Sequence, residues 1–236
     1  MSETQQLGLP LLQPAQAQKH VTVNEALVRL DGLTQLSIQS LNLPVPPTTA
    51  EDGITYSVPP GAVNAWSSNS GDLAIWSNGG WVFVTPKVGW QGYVVDQAKP
   101  VFFDGSGWVS SALAVSENGA ASLFEVLEFD HAISAGPSST TTVQIPQYAM
   151  VFAVTGRVKT ALTGAVTSFD VGVVGSIDRY ANGVGLAQGT WFNGVAGQPL
   201  TYWADTPLLL TANGGDFATG EVRLAIHYYH PTVPNL

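Results

Sequence analysis

The chemistry open to this chain comes from a short inventory: 17 Asp and Glu, 8 Lys and Arg, 4 His and no Cys. Without cysteine there is no thiolate nucleophile, no disulfide and no Cys-based zinc or iron–sulfur site. The histidines His20, His131, His227 and His230 are scattered. His227 and His230 lie three apart in a strand-like stretch, which turns them to opposite faces, so they form no chelating pair. The sequence contains no GxSxG elbow, no HExxH pair and no phosphate-cradling P-loop. Glycosidic cleavage needs two carboxylates flanking one bond. The acids of the last third (Asp170, Asp178, Asp205, Asp216 and Glu221) sit singly in turn-like surroundings, with no spacing that pairs them. Acidic turns are the ligand type of calcium, yet no EF-hand spacing is present. The sequence therefore names no catalytic residue, no cofactor and no metal ligand.

Binding a sugar asks for less. An aromatic face stacks on the apolar face of a pyranose, and planar polar side chains bond the hydroxyls around it. Residues 176–203, SIDRYANGVGLAQGTWFNGVAGQPLTYW, have that make-up on a glycine-rich backbone. Asp178, Arg179, Tyr180, Asn182, Trp191, Asn193 and Tyr202 are the candidate carbohydrate-binding residues, and the stretch reads as long loops at one end of a β domain. The competing reading is packing, since alternation along a strand must send either Tyr202 or Trp203 into a core. The tryptophans of the middle section (Trp66, Trp76, Trp81, Trp90, Trp108) read as packing residues.

The elements that would position these residues are mostly strands. Glycine at 25 and proline at 15 of 236 residues argue for many turns and against a helical bundle. Charged residues make up 11%, against roughly 25% in an ordinary soluble domain. Surfaces built from Ser, Thr, Asn, Gln and Gly suit extracellular, virion and sugar-binding proteins. A net charge of −9 with scattered basic residues excludes nucleic acid as an expected partner, because phosphate neutralisation needs clustered Lys and Arg. No apolar run reaches the length of a membrane span, so no membrane insertion is expected. No signal peptide is expected either, since the start lacks a basic and then apolar segment with a small-residue cleavage site.

Three sections are expected. Residues 1–50 hold an apolar, proline-broken arm, a helix with Val23, Ala26, Leu27, Leu30, Leu33 and Leu36 at intervals of three and four, and a proline-rich linker. Thr22 with Glu25 has the spacing of a capping box. An extended arm feeding one amphipathic helix has nothing of its own to pack on, so it reads as an anchor on a sister subunit or a larger assembly. Leu9, Leu11, Leu12, His20, Leu27 and Leu30 are its candidate contacts. Residues 51–120 read as a small Trp-rich β-meander, with strands at 54–58, 62–66, 72–76 and 81–85 and a tight Asn78-Gly79-Gly80 turn. Within it AIWSNGGWV (74–82) resembles VFFDGSGWV (101–109), two hairpins each closed by a tryptophan facing an aromatic. Residues 121–236 read as an antiparallel β-sandwich of the jelly-roll or lectin-like kind. In its last strand Val222, Leu224, Ile226 and Tyr228 point one way, and Glu221, Arg223, His227 and Tyr229 the other.

The run LPLLQPAQAQKHVTVNEALVRLD at 9–31 resembles the N-terminal signature of the DUF2793 family. The resemblance extends to GDLAIWSNGGWVFVTPKVGWQGYV at 71–94 and to PLTYWADTPLLLTANGGDFATGEVRLAIHY at 199–228, so it spans most of the chain. Members occur in tailed phages and gene transfer agents, linked to virion spikes and fibres. The resemblance implies a virion component, made in the cytoplasm and released by lysis, that assembles as a homo-oligomer, trimeric or pentameric. Its arm would attach to a capsid or tail protein, and its C-terminal domain would bind a cell-surface or capsular polysaccharide to promote adsorption. The expectation is a binding protein and not an enzyme. The alternatives are a carbohydrate-degrading spike enzyme using paired carboxylates, and a purely structural connector of the virion.

Overall fold

The helix expected near the N-terminus leads straight into a sheet. The structure is a computed structural model that describes residues 3–12 and 19–235, and of residues 19–22 the backbone alone. It divides into two compact units, Met1–Ala112 and Leu113–Leu236.

In the first unit α1 (Lys19–Leu33) is followed by the two-residue strand β1 (Ser37–Ile38). β1 is the middle of a seven-stranded sheet. On one side lie β2 (Thr55–Ser57), β3 (Leu73–Ser77) and β4 (Gly80–Val84); on the other lie β5 (Gln91–Val94), β6 (Lys99–Phe103) and β7 (Trp108–Ser110). β1 runs parallel to both neighbours, Ile38 pairing with Thr55 and with Val94. Ile38, Leu73 and Val94 are fully buried together, each such side chain stabilising the fold by roughly 1.5–3 kcal/mol.

Three expectations change here. The small β section is not a plain meander, because the strand leaving the helix is its centre. The proline-rich residues 40–51 are the connection between two paired strands, with Leu41 and Leu43 packed against the unit's core. Residues 64–66, expected in a strand, form a 3-10 turn that buries Trp66. The hairpin repeat is present as read. Trp76 pairs with Trp81 across a turn with Asn78 at φ 50° and Gly79 at φ 81°, ring centroids 4.8 Å apart. In the second copy Phe103 faces Trp108 at 5.1 Å.

The arm is not extended. Residues 5–7 form a turn in which Thr4 N–H donates to Leu9 O at 2.9 Å, and Glu3 bridges to Pro10. The buried carboxylate of Asp31 fastens this turn to α1, accepting from Thr4 Oγ1 at 2.8 Å, Gln6 N at 3.0 Å and Leu7 N at 2.6 Å. Asn24 and the backbone of Leu12 exchange a reciprocal pair of hydrogen bonds. Asp31 interrupts the apolar helical stripe, and it is the residue that gives the arm something of its own chain to pack on. α1 begins at Lys19, ahead of the expected Thr22 cap, whose side chain lies outside the described residues.

The second unit is a sandwich of two antiparallel sheets. One has the order β10 (Ser138–Ile145), β15 (Thr206–Asn213), β12 (Ser168–Val173), β13 (Ser176–Val184). The other has the order β14 (Trp191–Thr201), β11 (Met150–Gly164), β16 (Phe217–Pro231), β9 (Ala121–Ala132), β8 (Ala112–Val115). Between them lies one apolar core, including Val154, Val158, Phe169, Leu208, Leu210 and the expected inward set Val222, Leu224, Ile226 and Tyr228. β13 and β14 were expected as loops. Their strand character is masked because an inward position of β14 is Gly194, where a Cβ would lie 2.1 Å from Tyr180 O and 2.7 Å from Val154 O. The apolar side chains Trp191 and Val195 occupy its outward positions.

Candidate functional site

Alternation fixes what the five-stranded sheet shows to its outer side. With Val154 and Val158 inward on β11, Thr155 and Arg157 face out. With Leu224 inward on β16, Arg223 and Ala225 face out. Register then sets side chains from four strands in rows. One row runs Trp191, Arg157, Arg223, Asp130, and the next runs Asn193, Thr155, Ala225, Glu128. All of them but Asp130, which stands at the end of its row, line an open depression of 490 Å³ with Phe192 at its wall. Trp191 is 66% exposed and lines the depression with Asn193, Thr155, Arg157 and Glu128 among its polar members and Phe192, Leu224 and Ala225 among its apolar ones.

The charges in this region are not equivalent. Asp130 accepts from Arg223 through Nε at 2.7 Å and Nη2 at 2.9 Å, a two-pronged carboxylate–guanidinium pair. It also takes Lys159 Nζ at 2.7 Å, and Lys159 reaches Glu221 at 3.0 Å. The hydrogen bond from Arg223, with that from Lys159, holds the Asp130 carboxyl well below the usual carboxylate range. The same contacts raise Lys159, through Asp130 first and Glu221 second. Glu128 stands 3.9 Å from Arg223 Nε. Arg157, exposed beside them, has no ion pair among the described residues.

Further along the same outer side the surface is aromatic. Phe124 stacks on Phe152 at 5.2 Å, nearly parallel, and meets Tyr229 at 5.6 Å. Tyr148 and Trp203, edge to face at 6.3 Å, bound a second recess of 370 Å³ with Met150, Tyr229 and Val233. Tyr148 sits at φ 65°, a conformation that costs a non-glycine residue energy. It is held by Tyr148 N–H donating to Tyr202 O at 2.6 Å, while Gln147 Nε2 bonds Trp203 O at 3.0 Å.

The seven ligand-binding residues read from the sequence are not brought together. Trp191 and Asn193 line the 490 Å³ depression. Tyr180 and Tyr202 are buried in the sandwich core, their hydroxyls 2.6 Å apart, so they are withdrawn from any ligand. Burial first, and then that hydrogen bond, pushes the Tyr180 phenol well above its ordinary value. Asp178, Arg179 and Asn182 are exposed on β13, which belongs to the other sheet, and do not line the depression. The residues missed are Thr155, Arg157 and Glu128. Their signal was available as polar side chains at every second position in strands whose other phase is apolar, a pattern divided between β9 and β11 and therefore silent as a motif.

The remaining candidates are structural where their contacts are seen. Asp170 is buried and accepts from Gly183 N at 2.7 Å and Asn213 Nδ2 at 2.8 Å. Asp205 accepts from Gln147 N at 2.8 Å. His131 is buried with Nε2 2.8 Å from Ser139 Oγ, and burial lowers its imidazole below the ordinary value. Of the assembly candidates, Leu12 and Leu30 are about half exposed, while Leu9, Leu11 and Leu27 are partly covered. The side chain of His20 lies outside the described residues. Among the described residues no group of three or more His, Asp or Glu is placed to hold a metal ion, and no helix is long and apolar enough to cross a membrane.

Residues 23–109 match the family described as "Protein of unknown function (DUF2793)". The match includes both hairpins and is narrower than the resemblance read from the sequence, since residues 9–22 of the first motif and residues 110–236 lie outside it. A comparison with curated proteins gives no match. Among solved structures, a chain of the "Cyanophage Pam1 capsid asymmetric unit" is similar at 24% identity, covering 50% of this chain and 93% of that chain, with a TM-score of 0.39.

Proposed function

We propose that this chain is a virion component, a spike or fibre protein of a phage or gene transfer agent, that binds host cell-surface or capsular polysaccharide through its C-terminal sandwich. The observation that carries this reading is the exposed Trp191 indole over the depression lined by Asn193, Thr155, Arg157 and Glu128. An aromatic platform beside an amide, a hydroxyl, a guanidinium and a carboxylate is the donor and acceptor set a pyranose needs: C–H faces on the ring, hydroxyls on the rim. The charge-poor composition and the DUF2793 match support the virion setting. The exposed Leu12, Val23 and Leu30 of the first unit are the surface for attachment to a capsid or tail protein. The aromatic stretch around Phe124, Phe152 and Tyr229 faces a second copy in a trimer or pentamer, since contiguous exposed apolar surface of this kind marks protein–protein contact.

The test is binding of purified protein to capsulated cells and to matched capsule-less mutants, with the supernatant assayed for released oligosaccharide. Capsule-dependent binding, lost in Trp191→Ala without oligosaccharide release, is expected. Release of oligosaccharide would replace this reading with a degrading enzyme, and equal binding to both cell types would leave the structural connector.

A further inference from the structure

We propose that the Trp191 depression is selective for acidic sugars, with Arg157 as the group that takes the sugar carboxylate. The inference rests on the polysaccharide reading above and adds to it the chemical class of the ligand. The first observation is convergence. The chain carries 8 Lys and Arg against 17 acids, yet Arg157, Lys159 and Arg223 gather on neighbouring outward positions of β11 and β16. The second is that two of the three are already matched: Arg223 by Asp130 on two prongs, Lys159 by Asp130 and Glu221.

Arg157 is left over. It is the direct cross-strand partner of Arg223 on one side and of Trp191 on the other. Like charges directly opposite in an antiparallel pair destabilise a sheet, and Asp130 relieves this only for Arg223. The unmatched guanidinium therefore faces the depression with its hydrogen-bonding capacity free and its charge uncompensated. A guanidinium binds a carboxylate through two parallel N–H···O bonds, a geometry that an ammonium does not reproduce. Trp191 beside it supplies the flat apolar surface for the ring that carries the carboxylate. Glu128, at the next row, is placed to accept from sugar hydroxyls and would repel a second anion, which limits the site to one carboxylate per bound ring.

The probe is tetragalacturonate, compared with the same tetramer after its carboxyls are reduced to alcohols. Binding to the intact protein is followed by NMR at the Trp191 indole N–H and the Arg157 Nε–H. Tetragalacturonate is expected to shift both signals and to bind at least about tenfold more tightly than the reduced tetramer, the difference shrinking as salt is raised. Arg157→Gln should bring the acidic tetramer down to the level of the neutral one, and Arg157→Lys should fall between. Trp191→Ala should weaken both. Equal binding of the two tetramers, or unchanged affinity in Arg157→Gln, overturns the acid selectivity while leaving sugar binding intact. Capsule-dependent cell binding with no response to tetragalacturonate likewise overturns only this inference, whereas protein that binds neither cells nor sugars overturns both.

Discussion

Tyr180 and Tyr202 carry the sharpest test of the division between core and site. Their hydroxyls lie 2.6 Å apart inside the sandwich, one from β13 and one from the segment just after β14. Tyr180→Phe removes one hydroxyl and leaves the other buried without its partner. A polar group stranded in that way costs about 1–3 kcal/mol, whereas removing both partners together is close to neutral. The pair therefore predicts a non-additive cycle: each single Tyr→Phe change destabilises the sandwich, and the double change recovers most of the loss. In opening equilibria the single changes amount to a factor of about 5 to 150. Intrinsic fluorescence is a poor readout, because five of the seven tryptophans belong to the first unit. Hydrogen exchange of peptides from β11 and β16 reports the sandwich directly, with peptides from β3 and β4 as an internal control. Any glycan binding at the proposed Trp191 depression should be unchanged in all three variants. Additive losses, or a Tyr180→Phe protein of normal stability that no longer binds glycan, would refute the assignment of this pair to the core.

Other consequences are separable by residue. Gly194→Ala places a Cβ against the backbone oxygens of Tyr180 and Val154 and should cost about 3 kcal/mol, the upper end of overpacking; Gly197→Ala, with nothing near its Cβ, should be tolerated, as urea midpoints will show. The depressed Asp130 carboxyl contributes stability that is complete above the ordinary aspartate value of about 4 and is lost as pH falls through its lowered value. Its carboxyl carbon shift should accordingly stay that of the ionised form well below the ordinary aspartate range in the wild type and titrate higher in Arg223→Gln. Asp31→Ala should free the turn at residues 3–12, seen as rapid proteolytic trimming there while the sandwich stays protected.

How much could be read in advance differs between the two units for physical reasons. The hairpins were legible because their signals are local: Asn78-Gly79 supplies the two left-handed positions of a tight turn, and the tryptophan after it faces the aromatic before it. β16 was legible because alternation ran unbroken over Val222, Leu224, Ile226 and Tyr228. β13 and β14 were not, since glycine stands where an inward side chain would announce the strand and Trp191 points outward. The packing of the arm was also hidden. Nothing in the sequence marks Asp31 as a capping partner, and only the fold shows three donors from residues 4–7 converging on it. The depression lay beyond sequence reading because its members come from β9, β11, β14 and β16. No spacing rule links Glu128, Arg157, Asn193 and Arg223 before register is known.

The position of β1 bears on the proposed attachment through the first unit. A detachable arm can be exchanged between subunits at little cost when nothing else depends on it. Here the chain passes from the arm into α1 and from α1 into the strand on which both hairpin lobes are paired, Ile38 bonding to β2 on one side and β5 on the other. Removing α1 with β1 would take Ile38 out of the core, leave β2 and β5 without the strand between them, and uncover Leu73 and Val94. The arm and helix are therefore part of the folded unit, whatever they contact outside it. The side that folding leaves uncovered is Val23 and Leu30 on α1 and Leu12 on the turn fastened to it. If the first unit docks as proposed, it does so through this already folded surface and avoids the ordering cost that an extended arm would incur on assembly.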